Sequence, residues 1–560
     1  MARTVAGGHP RLLLTLASTA IALAAADTYV VVLALTDMMN GVGLGLDNLQ
    51  RAAPIISGFL LGYIAVLPLI GRLADLVSRS QILLGCLVVF VIGSGATALA
   101  VDLDVLVAGR VVQGVGGGGL VPATLALVAD LWPPGRRGMP LGVVGAVQEL
   151  GSVLGPLLGA AVLAVADWRA IFWLNVVLGV LLFVAVAAVS GGTRRPPVVP
   201  TLVGVLATGL LWLTLAAPEA LATDVTLGIP FVPFAGDHRV LTPIGLATGA
   251  LLVVLVIITR DRWWPPLRVS DLPGALLLGT ALGCVVLTFA SADPETEVVG
   301  PLGYALLPVA LVAAVLYVWR HHRAEQPLVP RGTVRGRTPW ALVVSLLVGV
   351  ALVSVVVDVP LFSRLTTDGT QTDAAMELVK FLVAVPVGAL VGGWILRWVG
   401  DGLSAGIGLV LGAGGLYAMS GWEGGALDET SATVTLAVVG FGLGMALAPV
   451  NDAALADSPQ DAHGTASSLV VVARMVGMVV GLALLTGVGL HRYYEAVDAM
   501  PREEQTDGQA LLDAALLQVH TVFMGAAAAA LVAAALAFVF LGIRRREGSG
   551  SFARGLGVEE

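Results

Sequence analysis

GTASSLVVVARMVGMVVGLALLTGVGLH, residues 464–491, is an apolar run with one charge inside it, Arg474. At about 1.5 Å of rise per helical residue it is long enough to cross the roughly 30 Å of hydrocarbon in a bilayer. Arg474 then lies roughly 15 Å deep, near the midplane, where an ionisable side chain costs several kcal/mol and needs a reason. Runs of the same kind recur along the chain. Six fall at about 11–37, 52–73, 81–101, 105–130, 139–166 and 168–189, and six more at about 338–362, 374–398, 402–421, 431–451, 464–491 and 515–543. Four candidates lie between the two groups, near 201–222, 241–259, 271–292 and 302–319.

Composition points the same way. Of 560 residues, 57% are hydrophobic and only 12% charged, with a mean hydropathy of +0.93. A soluble chain carries about 25% charged residues, so the main solvent here is lipid. The net charge of −8 is thinly spread and forms no basic stripe, which argues against a nucleic-acid partner. Cys86 and Cys284 both sit in apolar runs and read as packing residues, not as a disulfide or a metal pair. No metal or cofactor is expected. Arg3, Arg11, the apolar stretch to Leu23 and Ala24-Ala25-Ala26 imitate a secretory leader. The apolar run continues past Asp27, however, so an uncleaved first span is expected.

The expected fold is an all-α membrane protein: two pseudo-symmetric six-helix bundles, residues 1–190 and 338–546, joined by inserted helices at 191–337 and followed by a cytoplasmic tail at 547–560. Sixteen spans are expected, or fourteen if Pro218, Pro230 and Pro233 prevent the 201–259 region from making two. With the N-terminus inside, Arg72, Arg79, Arg136, Arg137, Arg260, Arg320, Arg337 and Arg397 fall in cytoplasmic segments. Few arginines, among them Arg51, Arg169 and Arg364, fall outside. That bias predicts both termini in the cytoplasm of a multi-pass cell-membrane protein. Two six-helix groups also suggest an internal repeat, the usual basis of alternating access.

Glu149 is the acid that matches Arg474. It lies ten residues into a helix rising from the same side, again roughly 15 Å deep, so one acid and one base in opposite halves share a level. The reading favoured here is an ion pair across a central cavity that protonation of Glu149 weakens. A static pair that fixes helix register is the alternative. Asp27, nearer the outer face, is either a second protonation site or a carboxylate in a water-filled vestibule. Arg110, near Gln113, either serves a nearby carboxylate or caps a neighbouring helix end. Asp358, just before Pro360, reads as a helix-terminal or interfacial residue. Glu377 and Lys380 have the spacing of a local helical pair.

Two motifs concern movement. Gly142, Gly151, Gly155, Pro156 and Gly159 strip side chains from one helix, permitting close approach and a bend. The turn GRLADLVSRS, residues 71–80, holds Asp75, which either caps a helix N-terminus and latches one conformation or is a solvated carboxylate. Between His491 and Asp513 an acidic outward segment with Tyr493 and Tyr494 either projects to guide an apolar cargo or is a plain solvated hairpin. Asp452, Asp457, Asp461 and His463 are the only loop cluster an enzyme could use, and they read better as helix ends.

These stretches resemble the major facilitator superfamily. GRLADLVSRS is similar to its loop signature, LVAGRVVQGVGGGG to its fourth-helix arginine motif, residues 142–159 to its antiporter motif, and WRAIFWLN (168–175) to the fourteen-helix drug:proton antiporters. ADTYVVV around Asp27, VDVPLF around Asp358, AVPVGALVGGW (384–394) and HGTASSLVVVARMVGMVVG around Arg474 resemble the mycobacterial exporters of triacylglycerides and other lipids. The resemblance implies a proton-coupled exporter of lipids or lipophilic compounds, not an enzyme, working with a periplasmic lipid-carrying lipoprotein. It places Asp27, Asp75, Glu149 and Arg474 in the family's functionally important acid, loop and ion-pair positions. Proton coupling is expected of Asp27, Glu149, Arg474 and Arg110, and a conformational latch of Gly71, Asp75 and Arg79. A multidrug:proton antiporter is the nearest alternative, and an integral-membrane lipid-modifying enzyme a more distant one. In the loop, Leu76, Ser78 and Ser80 depart from the signature.

Overall fold

The computed structural model describes residues 10–44, 49–133, 135–190, 198–218, 221, 223–224, 226, 228–234, 239–290, 303–367, 371–501, 505 and 507–542. The expected tail at 547–560, Arg3 and the start of the inserted segment at 191–197 lie outside the described residues.

Among those residues the chain forms sixteen long helices: α1 (Pro10–Gly41), α2 (Leu49–Leu76), α3 (Arg79–Ala98), α4 (Leu103–Leu131), α5 (Gly138–Leu163), α6 (Arg169–Val189), α7 (Val198–Ala216), α8 (Pro243–Val269), α9 (Leu272–Ala290), α10 (Gly303–Arg323), α11 (Thr338–Thr366), α12 (Gln371–Val399), α13 (Asp401–Met419), α14 (Thr430–Ala456), α15 (His463–Ala499) and α16 (Gly508–Leu536). Helix is the form these apolar runs must take, because it satisfies every backbone polar group without water. Fifteen of the helices are long and apolar enough to cross a membrane, and a shorter apolar stretch, Leu202–Ala216, lies in α7.

In the doubtful region, α7 and α8 pack against each other, with Thr214 and Thr248 hydroxyls 3.0 Å apart. Two short 3-10 turns, Ile229–Phe231 and Arg239–Leu241, lie between them, the first holding Pro230, while Pro218 and Pro233 fall outside any helix. Arg239 donates to the carbonyl of Leu215 at 2.5 Å, a cation on orphan C-terminal carbonyls. The α9–α10 pair instead packs through α9 onto α2.

The α4 run Gly114-Val115-Gly116-Gly117-Gly118-Gly119 explains why that helix is so enclosed. A Cβ at Gly114 or Gly118 would strike the carbonyls of Phe59 or Tyr63 on α2, and one at Gly116 would strike Phe90 on α3. Bare backbone lets α4 lie in contact with both neighbours. One apolar core joins α11 to α16 with Ala146 and Val153 of α5. A second joins the first six helices and takes in Ala448, Leu455, Ala466, Val471 and Val472 from α14 and α15.

The structure corrects the reading of Asp358. It is not terminal: α11 continues through Pro360 to Thr366, and Asp358 is 1% exposed. A proline forfeits one backbone bond, but a membrane helix with packed neighbours tolerates that.

Candidate functional site

The structure brings Glu149 and Arg474 together across the two groups of helices. Arg474 Nη1 on α15 lies 3.6 Å from Glu149 Oε1 on α5, with side chains 8% and 13% exposed. The helix that carries the arginine packs closely on α11. A Cβ at Gly349 of α11 would strike the Arg474 carbonyl, and one at Gly477 would strike that of Leu346. Ser345 of α11 donates to the Val470 carbonyl at 2.8 Å. The glycines around Arg474 therefore bind α15 to α11. A cavity of about 20 Å³, lined by Gln148, Ser345, Asn451 and Arg474 among others, adjoins the pair and has room for about one water.

The glycine motif on α5 divides by partner. Gly142 faces the Ala389 carbonyl of α12, whereas Gly151 and Gly155 face the Ala22 and Ala26 carbonyls of α1, and Gly159 faces Val30. Pro156 lies inside the α1-facing part. The motif thus packs α1 along most of its length and meets the second six helices only at its start.

Asp27 and Arg110 meet each other, not the midplane pair. Arg110 Nη1 donates to Asp27 Oδ2 and, at 2.7 Å, to Gln113 Oε1, while Nε reaches the Ile55 carbonyl at 3.2 Å. The guanidinium lies 4.5 Å from the Phe59 ring centre. Asn175 donates to the other Asp27 oxygen at 2.5 Å, and Gln113 donates to Ser94 at 2.9 Å. At 1% exposure Asp27 is no vestibule carboxylate in this arrangement, and Arg110 is its counter-ion. The sequence reading missed Asn175 and Ser94. The available signal was an amide and a hydroxyl in otherwise apolar helices at the level of a buried charge.

At the end where α2, α4, α12 and α14 finish, the two groups of helices are bonded directly. Asp75 accepts from the backbone N–H of Gly464 at 2.6 Å and of Thr465 at 2.9 Å, and from the Thr465 hydroxyl at 2.7 Å. Those are orphan donors of the first turn of α15, so the carboxylate caps that helix and meets its positive end. Gly71 makes room, since a Cβ there would strike Ser468. Arg79 stands behind, 3.5 Å from Asp75 and 3.1 Å from Asp130. A second bond was not read from the sequence: Arg137, before α5, donates to Asp452 of α14, and both are nearly buried. Arg337, before α11, joins Asp401 at 2.5 Å and Asp457 at 3.0 Å. Burial works against its charge, but the hydrogen-bonded Asp457 and nearby Asp401 and Asp452 hold Arg337 above the ordinary guanidinium range. Glu377 and Lys380 make their local pair at 2.7 Å. Among the described residues no cluster could hold a metal ion, and Cys86 and Cys284 are unpaired.

Comparison with known proteins adds to this geometry. The Major Facilitator Superfamily profile matches residues 17–482. A protein named triacylglyceride transporter from Mycolicibacterium hassiacum is 39% identical over 488 residues, covering 85% of this chain and 78% of that protein. Proteins of the same name from Mycobacteroides abscessus and Mycobacterium tuberculosis are each 36% identical, covering 89% and 86% of this chain and 85% and 83% of theirs. Among solved structures, a human organic anion transporter superimposes with a TM-score of 0.57 at 13% identity, covering 95% of this chain and 100% of its own. A proton:xylose symporter gives 0.55 at 12%, covering 95% and 96%. At such identities the structural likeness concerns the fold alone.

Proposed function

The chain belongs to the Major Facilitator Superfamily, and from that premise we propose that it exports triacylglycerides or similar lipids in exchange for protons, by alternating access of two six-helix halves. The observation that carries the reading is the Glu149–Arg474 pair, one charge from each half at one level. In this reading the bonded end is cytoplasmic, as the arginine bias expects, so the arrangement described is closed toward the cytoplasm. Apart from Val153, one turn beyond Glu149 on α5, the inter-half contacts described above lie at the level of that pair or on the bonded side of it.

The cycle follows from electrostatics. A proton taken up at Glu149 removes the charge that attracts Arg474, and the attraction biases only the state in which the two meet. Loss of the proton to the cytoplasm restores the pair and favours closure of the bonded end. Asp27, tied to Arg110 and Asn175, is the second acid in this scheme, and Gly71, Asp75 and Arg79 form the latch. The lipid assignment is supported by the names of relatives that match most of this chain. A periplasmic lipoprotein is the partner suited to receive such a cargo, which water will not carry.

Proteoliposomes loaded with a fluorescent triacylglyceride test both parts. A pH gradient is expected to drive export, and Glu149→Gln to abolish the gradient dependence, because a neutral side chain cannot report protonation. Export by Glu149→Gln that still follows the gradient would overturn the coupling. Gradient-driven movement of a cationic dye with none of lipid would overturn the cargo.

A further inference from the structure

Among the described residues one carboxyl group is buried with no hydrogen-bond partner on either oxygen: Asp358 of α11. Among the described residues no ion pair reaches it from the neighbouring helices, and Arg397, the cation at the far end of α12, lies over the Trp398 ring. α11 packs against α12, α14, α15 and α16. On α12, Glu377 and Lys380 hold each other. α14 carries no charged residue from Thr430 to Pro449. On α15, Arg474 is paired with Glu149, and Arg492 and His491 with Glu495. On α16, the His520 Nε2 lies 2.6 Å from the Trp422 carbonyl, and Asp513 accepts from Gln509. Arg364 lies further along α11 itself.

Asp27 makes the contrast. Each six-helix group opens on a helix with one buried aspartate, Asp27 on α1 and Asp358 on α11. Asp27 owes its charge partner to Arg110 of α4. The fourth helix of the second group, α14, has the same plan as α4: Pro122 to Asp130 is spaced as Pro449 to Asp457. On that register Ala437 stands in the place of Arg110 and Gly440 in that of Gln113. The second group keeps the acid and lacks the cation and the amide. An ionised carboxylate so placed would replace lost water with nothing, at a cost of several kcal/mol or more. The neutral acid leaves only weaker polar groups unmet.

We propose that Asp358 is a proton-binding site of the second six helices, which holds its proton in this closed arrangement and gives it up when α11 rearranges. The proton passes between a carboxyl oxygen and water entering from the far end of α11, roughly 12 Å away at Thr366; no other bond changes. Use of this proton in transport rests on the coupled reading above, whereas its presence does not.

Infrared spectroscopy of the purified full-length protein at neutral pH tests the site directly. The carbonyl stretch of a neutral carboxylic acid is expected in the wild type and in Asp27→Asn, and is expected to be lost from Asp358→Asn and Asp358→Ser. A band unchanged in both Asp358 variants would overturn the proposal. In proteoliposomes, Asp358→Asn is expected to bring the ratio of export with and without a pH gradient to about one, with lipid counterflow retained. A wild-type ratio in that variant would overturn the role in transport. A wild-type protein that ignores the gradient would instead refute the coupled function, leaving the infrared band to decide Asp358.

Discussion

The seam between α2 and α15 is held by a carboxylate on a helix end, and the seam between α5 and the α12–α14 layer by an ion pair. In the first, Asp75 meets two backbone N–H groups of α15. In the second, Gly138 and Gly142 lie against Gly393 and Ala389 while Arg137 bonds Asp452. The two loops that could have played the same part are opposite in charge. Setting Gly71 beside Gly393 puts Asp75 beside Arg397 and Arg79 beside Asp401. An arginine cannot serve a helix N-terminus, which is already positive. Arg397 lies instead over the Trp398 ring, 3.9 Å from its centre. The second seam takes its bond from Arg137, and Arg337 supplies the cation that Asp401 and Asp457 need. A repeated frame with reversed charges gives seams of different strength, so the halves should part first along α2 and α15.

The strongest way to break this comparison is Arg137→Met. Asp452 would be left buried without its partner, a loss of about 3–5 kcal/mol or at least about a hundredfold in the closed population. Labelling of a cysteine at Leu447, in a background without Cys86 and Cys284, is expected to rise accordingly. Arg137→Met with Asp452→Leu should recover much of the closure, because no charge is then stranded. Labelling that stays at the wild-type rate in Arg137→Met would mean that the glycine contacts alone hold this seam.

Asp75→Asn comes next. The amide keeps one acceptor but loses the charge facing the α15 dipole, a cost of about 1–2 kcal/mol, or roughly tenfold. Cysteine labelling at Ser468 reads this seam and is expected to increase about that much, less than labelling at Leu447 does in Arg137→Met. An Asp75→Asn effect equal to that of Arg137→Met would remove the inequality between the seams.

The sequence showed the helices because apolar runs must cross lipid as helix, and it showed Glu149 and Arg474 because lone charges at one depth are conspicuous. Asp75 was legible as one of two alternatives; only the position of α15 decides between a cap and a solvated turn. Arg137 and Asp452 were not legible as a pair. Each is common at a helix end, and their contact depends on how the two groups of helices dock. Asn175 was hidden because its partner, Asp27, is far away in sequence. Asp358 was misplaced because Pro360, two residues on, reads as a stop, while a packed membrane helix runs through one.

Arg79→Gln should have the smallest effect, and it sharpens the account of the Asp75 latch. Its guanidinium lies 3.5 Å from Asp75 and 3.1 Å from Asp130, but Asp130 is 41% exposed and solvent screens that pair. An exposed pair of this kind is worth about 0–1 kcal/mol. Asp75 takes its hydrogen bonds from α15, so removal of Arg79 leaves them in place. Labelling at Ser468 is therefore expected to change by no more than about fivefold. An increase matching that of Asp75→Asn would show the guanidinium, not the helix end, to be what holds the Asp75 carboxylate in position. The first seam would then be an ion-pair seam like the second, and the order of parting argued from charge reversal would no longer follow.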